Sequence, residues 1–356
     1  MTFSTSAAAA APVVSRRGRP AWAVILITGL LLWLATVAVT FATANANLVP
    51  TLVLLGSFLV PVTFVAWAYG HRDEVITVEA LFRLFVVGGI LGVLGASVLE
   101  SYLLHPSVWM FAGVGLIEEA VKLVALWLLT RHLAGKSIRS GVVLGATVGF
   151  GFAAFESAGY ALNALITVDG LSLRALVETE ILRGLLAPFG HGLWTAILGG
   201  LLFATAARGA ASRNAPEPSA ASRNAPEPSA ASRSTAGASA GIPFAGTASG
   251  NSTPPGAVST TGGFRLTGTL IVGYLGVALL HALWDSMHGI AVYLTWIITS
   301  TDRQQALFER GWIPQPTDQQ IHLFTVFSIG GTVLITVVAI LWLRSVWRSG
   351  RPISHG

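Results

Sequence analysis

Apolar residues in this chain fall in long, nearly unbroken runs, and polar residues gather between them. A helix that crosses a bilayer needs about 20 predominantly apolar residues. Eight runs meet that length: 21–43, 48–69, 81–104, 108–130, 140–165, 184–207, 266–288 and 322–343. A further apolar stretch, 289–299, is short. It reads as a re-entrant piece, an interfacial piece or an extension of the seventh span. The pattern predicts an all-α polytopic membrane protein with about eight transmembrane helices. The first run follows Arg16, Arg17 and Arg19, and Ala42-Thr43-Ala44 resembles a cleavage site. Its apolar stretch is longer than the roughly 7–15 residues of a secretory signal, so an uncleaved anchor is expected.

The polar segment 208–264 separates the sixth and seventh runs. It holds ASRNAPEPSA at 211–220 and the same ten residues again at 221–230. A solenoid repeat needs an apolar face, and this repeat has none. A segment so rich in Gly, Ser, Ala, Pro and Thr cannot bury enough surface to offset chain entropy, so a disordered linker is expected. The predicted organisation is a tail at 1–20, six spans in 21–207, the linker at 208–264, two spans in 265–344 and a tail at 345–356.

Composition agrees with the pattern. Only 10% of the 356 residues are charged, 53% are hydrophobic and mean hydropathy is +0.69, whereas soluble domains carry about 25% charge. The pI of about 10.1 raises the question of nucleic acid. The basic residues sit at the ends of apolar runs rather than in a patch interleaved with aromatics, so no nucleic-acid partner is expected; the bilayer is the partner. With the N-terminus placed inside, sixteen basic residues fall on the inner side. Four, Arg174, Arg183, Arg303 and Arg310, fall outside, together with acids such as Glu178 and Glu180. That bias predicts both termini in the cytoplasm. Zero Cys excludes disulfides and thiolate metal sites.

A few charges remain inside the predicted spans: Glu100, Glu118, Glu119, Lys122, Glu156 and Asp285, accompanied by His191 and His281. An Asp or a basic residue at the centre of a spanning helix costs roughly 2.5–3.5 kcal/mol on insertion scales, so such groups mark function by default. Glu118 and Lys122 stand four apart on one helical face and can pair. Glu119 points about 100° away. Two adjacent carboxylates in low dielectric do not both ionise cheaply, which is one way to make a general base. Glu156 and Tyr160 share a face with Phe152. Pro188, Gly190 and Gly192 surround His191, and His281, Asp285 and His288 form one stripe. Glu100 and His288 lie nearer span ends and read as interfacial. Glu118 is ten residues from the outer end of its span, about 15 Å down, and the other groups fall at comparable heights.

Two imidazoles and a carboxylate match a catalytic zinc site with an open position. A further glutamate would then take the proton from water that attacks a carbonyl. The chain holds no Walker loop, Gly-x-Ser-x-Gly or His-Glu-x-x-His. Intramembrane Glu, His and Asp also serve proton relays, so a proton-coupled transporter competes, although no inverted internal repeat is visible. A non-catalytic membrane receptor is a third reading.

The motifs resemble the PrsW family of intramembrane metalloproteases, within the wider group of CAAX prenyl endopeptidases and bacteriocin-processing proteins. The family's Glu-Glu-x-x-Lys stands at Glu118, Glu119 and Lys122, and its Phe-Glu-x-x-x-Tyr at Phe155, Glu156 and Tyr160. The remaining motifs centre on His191 and on His281 with Asp285. The resemblance covers about residues 80–290. It implies a multi-pass protein of the bacterial cell membrane that cleaves a membrane-anchored protein substrate on or near the external side, an anti-sigma factor being one such substrate. On that resemblance Glu118 and Glu119 activate water, while Glu156, His191 and His281 hold a divalent metal, with zinc the first choice. Asp285 orients His281 or stabilises the oxyanion, and Lys122 balances Glu118. A metal-free variant, in which glutamate and histidine alone activate water, is the alternative.

Overall fold

A computed structural model describes residues 20–70, 72, 76–168, 170–213 and 263–350, with backbone only over 208–213. In chain order the helices are α1 (Ala21–Thr43), α2 (Val49–Tyr69), α3 (Val78–Arg83), α4 (Gly89–Leu103), α5 (Met110–Thr130) and α6 (Ile138–Leu165). A two-residue ladder, β1 (Ile166–Thr167) with β2 (Gly170–Leu171), leads into α7 (Leu173–Leu186) and α8 (His191–Arg213). Then follow α9 (Gly268–Thr299), the short α10 (Asp302–Glu309) and α11 (Asp318–Ser349). Side chains of Thr77, Ser137, Ser172, Thr267, Thr301 and Thr317 accept backbone N–H bonds at helix starts. Each satisfies a donor that the first helical turn leaves free.

Seven helical stretches are long and apolar enough to cross a membrane. The 21-residue α5 matches them in length but carries Glu118, Glu119 and Lys122 together. The all-α polytopic architecture is therefore as the pattern predicts, with three local differences. Within the third span a π-helical turn, Leu84–Gly88, joins α3 to α4. The short run 289–299 is part of α9, a single 32-residue helix. Before the sixth run, α7 extends the apolar stretch back to Leu173, and a 3-10 turn at Ala187–Phe189 separates it from α8. Pro188 cannot supply the N–H that a continuing helix needs, and Gly190 departs from helical geometry (φ −103°, ψ −127°). Most of the expected linker, 214–262, and nearly all of the N-terminal tail lie outside the described residues, as do 351–356 of the C-terminal tail.

The extra helix corrects one expectation. Glu180 is not an external charge: it is buried on α7 and accepts a hydrogen bond from Trp33 Nε1 of α1 at 2.8 Å. Its carboxylate fills the space that Gly56 of α2 leaves by having no side chain.

Helix α6 is the hub. In its most apolar stretch 78% of residues are buried, against 11% for α1 and for α11, which lie at the periphery. Gly141, Gly145 and Gly149, spaced by four, face the backbone carbonyls of Gly199, Thr195 and His191 on α8. Small residues at that spacing let two helix backbones approach closely, and here the approach sets the height of His191. Across α6, Gly151 meets Gly89 of α4 and the Phe85 carbonyl.

A Cβ at Gly145 would overlap the Thr195 carbonyl, whereas nothing lies within 4 Å of one at Gly159. Gly145→Leu is expected to lower the thermal midpoint of the detergent-solubilised protein by several degrees, and Gly159→Ala to leave it unchanged or raised. Equal midpoints for the two variants would contradict the close α6–α8 contact.

Candidate catalytic chamber

The buried polar cluster forms where α5, α6, α8 and α9 meet. Lys122 is its centre, with 0% of its surface exposed. Its Nζ donates to Glu119 Oε1 at 2.7 Å and to Glu118 Oε2 at 3.2 Å, and lies 2.9 Å from His191 Nδ1. It also sits 4.2 Å above the Phe152 ring. An ammonium can only donate. His191 Nδ1 is therefore the acceptor, and its Nε2–H points to Glu156 Oε2 at 3.0 Å.

His281 arrives from α9. Its Nδ1 lies 2.9 Å from Glu119 Oε1, and its Nε2 lies 3.2 Å from Asp285 Oδ2 and 3.7 Å from Glu118 Oε2. The fully buried Trp194 ring packs on His281 with a centroid spacing of 4.5 Å and edges against His191 at 5.4 Å. Close contact between α5 and α9 makes this reach possible. A Cβ on Gly115 would lie 2.5 Å from the Ala278 carbonyl, and Tyr274 Oη donates to the Leu116 carbonyl at 2.7 Å.

Beside the cluster is a cavity of about 570 Å³. Glu118, Glu156, His191, Asp285 and Tyr160 line it. Glu119, Lys122 and His281 stand behind that wall. The two adjacent glutamates are thus distinguished. Glu118 faces the chamber, whereas Glu119 is wholly buried and ties His281 to Lys122. Among the described residues, the polar contacts of Glu118 run through Oε2.

All of the predicted site residues, Glu118, Glu119, Lys122, Glu156, His191, His281 and Asp285, join one connected network. Among the described residues, the side chains with ligand atoms spaced for a metal are Glu118, His191 and His281, all within 4.8 Å of one another. Glu156 is not in that group. It is held by His191 and by Arg183, whose guanidinium also donates to Ser157 Oγ at 2.8 Å and lies 4.2 Å from the Tyr160 ring centre. Arg183 was expected to be an external charge; it lines the chamber. Its position only eight residues before His191, on an apolar stretch, was the available signal. Glu100 also lines the chamber, with a buried Oε1 that has no partner among the described residues. His288 is exposed and packs against Phe324, outside the cluster.

Residues 76–221 match the PrsW family intramembrane metalloprotease. This segment is of the PrsW family. The match contains Glu118, Glu119, Lys122, Glu156, Arg183 and His191, and it makes the chain a hydrolase of the intramembrane protease class. His281 and Asp285 lie beyond the matched stretch and reach the chamber through the fold. No curated protein and no solved structure matches the chain.

Removing one partner of a buried ion pair leaves an uncompensated charge and costs about 3–5 kcal/mol. Lys122→Met is expected to destabilise the protein by that order in reversible detergent unfolding, because two buried carboxylates lose their cation. Adding Glu119→Gln should recover part of the loss. A Lys122→Met protein as stable as wild type would show that the ammonium does not hold the cluster together.

Proposed function

We propose that the chain hydrolyses a peptide bond of a membrane-anchored protein inside the bilayer, with Glu118 as the proton acceptor for the attacking water. The observation that carries this reading is the chamber itself. One carboxylate faces it between two imidazoles, with a second carboxylate and an ammonium behind it fixing their orientation. A general base of this kind contributes roughly 10²–10⁴-fold to rate. Glu119 is a positioning residue: by holding His281 Nδ1 it directs Nε2 toward Glu118 and Asp285. Arg183 and Asp285 flank the space where the scissile carbonyl would lie, and Arg183 is the donor suited to a developing oxyanion.

The donor set fits a divalent cation. Two ring nitrogens and a carboxylate oxygen cluster within 4.8 Å, and Glu119 Oε2 close by is buried without a partner among the described residues. Glu118 and the two imidazoles would hold the ion in place of the Lys122 contacts to Glu118 Oε2 and His191 Nδ1, zinc being the first choice for such ligands. Glu118 would keep its other carboxylate oxygen to act as the base. When bound it would polarise the scissile carbonyl as a Lewis acid. This ligand set replaces Glu156 with Glu118. Glu156 then orients His191, the kind of outer-shell partner that fixes a ligand ring.

The placement of the chamber supports a substrate class. Glu118 stands eight residues from the N-terminus of α5, about 12 Å along the axis. With basic residues marking the cytoplasmic side, that end of α5 faces outward. The substrate would be a single-span protein cut near its external boundary in a bacterial cell membrane, an anti-sigma factor being the first candidate. The organisation into six spans, a cytoplasmic linker and two spans is part of the same proposal.

The test is reconstitution of the full chain with a membrane-anchored candidate substrate. Glu118→Gln is expected to lower kcat by at least about 100-fold, His281→Ala to do the same, and Glu119→Gln to lose activity together with metal affinity. Chelation should abolish cleavage and zinc restore it. Unchanged cleavage by Glu118→Gln would refute the assigned base, and chelator-resistant cleavage by metal-free protein would leave the glutamate mechanism standing without the ion.

A further inference from the structure

A second cavity, of about 740 Å³, is lined by α2, α6, α8 and α11. Its walls are apolar: Phe64 of α2 stacks on Phe150 of α6 at 5.2 Å, and Ala146 and Leu193 continue the surface. At one end of the groove the lining changes to Trp67, Arg344, Trp347 and Arg348. Arg344 and Arg348 are one turn apart on α11, and neither guanidinium makes a hydrogen bond or ion pair with the described residues. The carboxylates in described ion pairs are Glu118, Glu119, Glu156, Glu178 and Asp285, none of them with these arginines. A third guanidinium, Arg139, lies 5.2 Å from the Trp347 ring centre, and its buried Nε has no partner among the described residues.

Length and charge together select an occupant. From Val142 to Phe150 the groove follows eight residues of α6, about 12 Å at 1.5 Å per residue. One leaflet of a hydrocarbon core of about 30 Å is about 15 Å deep. Tryptophans mark the membrane–water interface, and basic pockets between spanning helices bind anionic lipid headgroups. The polar repeat segment 211–230 cannot cover apolar walls, and the basic N-terminal tail would be repelled by the arginines.

We propose that this groove binds one anionic phospholipid, its phosphate on Arg344 and Arg348 and an acyl chain along Ala146 and Phe150. The site is separate from the chamber, and its test does not depend on the peptidase reading.

The experiment is native mass spectrometry of the delipidated full chain titrated with phosphatidylglycerol or with phosphatidylcholine of the same chains. Wild type should saturate with one phosphatidylglycerol, bound at least about ten-fold more tightly than phosphatidylcholine. A basic residue near an anionic surface contributes about a factor of five. Arg344→Gln/Arg348→Gln should therefore bind phosphatidylglycerol about thirty-fold more weakly. Ala146→Phe, which keeps both arginines and fills the groove, should weaken both lipids. Helical content by circular dichroism should be unchanged in each variant. Equal affinity for the two lipids, or equal phosphatidylglycerol binding by wild type and the double variant, would overturn the proposal. Soluble glycerol phosphate binding as tightly as the lipid would overturn it in favour of a bare phosphate site, and saturation by an acidic peptide but not by lipid in favour of a protein partner.

Discussion

A lysine ammonium buried with none of its surface exposed must be surrounded by acceptors, because an unpaired charge in a low-dielectric interior costs several kcal/mol. Lys122 satisfies that requirement with one acceptor from each of Glu118, Glu119 and His191. Two of the three come from its own helix, and the third must be brought from α8. The demand of one side chain therefore specifies how α5 and α8 meet. Through Glu119 it extends to His281, and so to where α9 lies. The polar chamber is what a buried cation needs, arranged so that one carboxylate is left facing open space.

The packing that meets this demand is built from absent side chains. Gly141, Gly145 and Gly149 bring α6 against the carbonyls of α8, and Gly115 brings α5 against α9. Close backbone contact positions residues more sharply than interdigitated long side chains can. The break at Pro188 and Gly190 starts α8 at His191 itself, so the imidazole is carried on the first turn of a helix whose depth α6 sets. The same two helices also line the second cavity, through Phe150, Leu193 and Ala196. The hub thus borders both a polar chamber and an apolar groove.

Much of the site was legible because charge is so rare here. In a chain with 10% charged residues, a carboxylate within an apolar run stands out, and Glu118, Glu119, Glu156 and Asp285 were found on that ground alone. Arg183 and Glu180 were misassigned for the converse reason. They sit on α7, next to a predicted boundary, where charge is unremarkable; the spacing from His191 hints at Arg183, but only the packing of α7 buries Glu180 beside Trp33 and turns Arg183 into the chamber. The division of labour between Glu118 and Glu119 was equally hidden. Neighbouring residues on a helix point about 100° apart, but which of them meets a cavity depends on what the other helices leave open.

By itself, the chain's hydrophobic pattern determined the class of solvent, the approximate bounds of most of the long helices and the identity of the groups too costly to bury without purpose. These are properties of single segments: length, transfer cost and helical period act on each run independently of the others. The tertiary structure alone decided that Glu118, rather than Glu156, stands with His191 and His281, that Arg183 lines the chamber and that two arginines guard an apolar groove. Those facts depend on distances between helices, which glycine contacts and the pairing of Lys122 set, and no single run contains them.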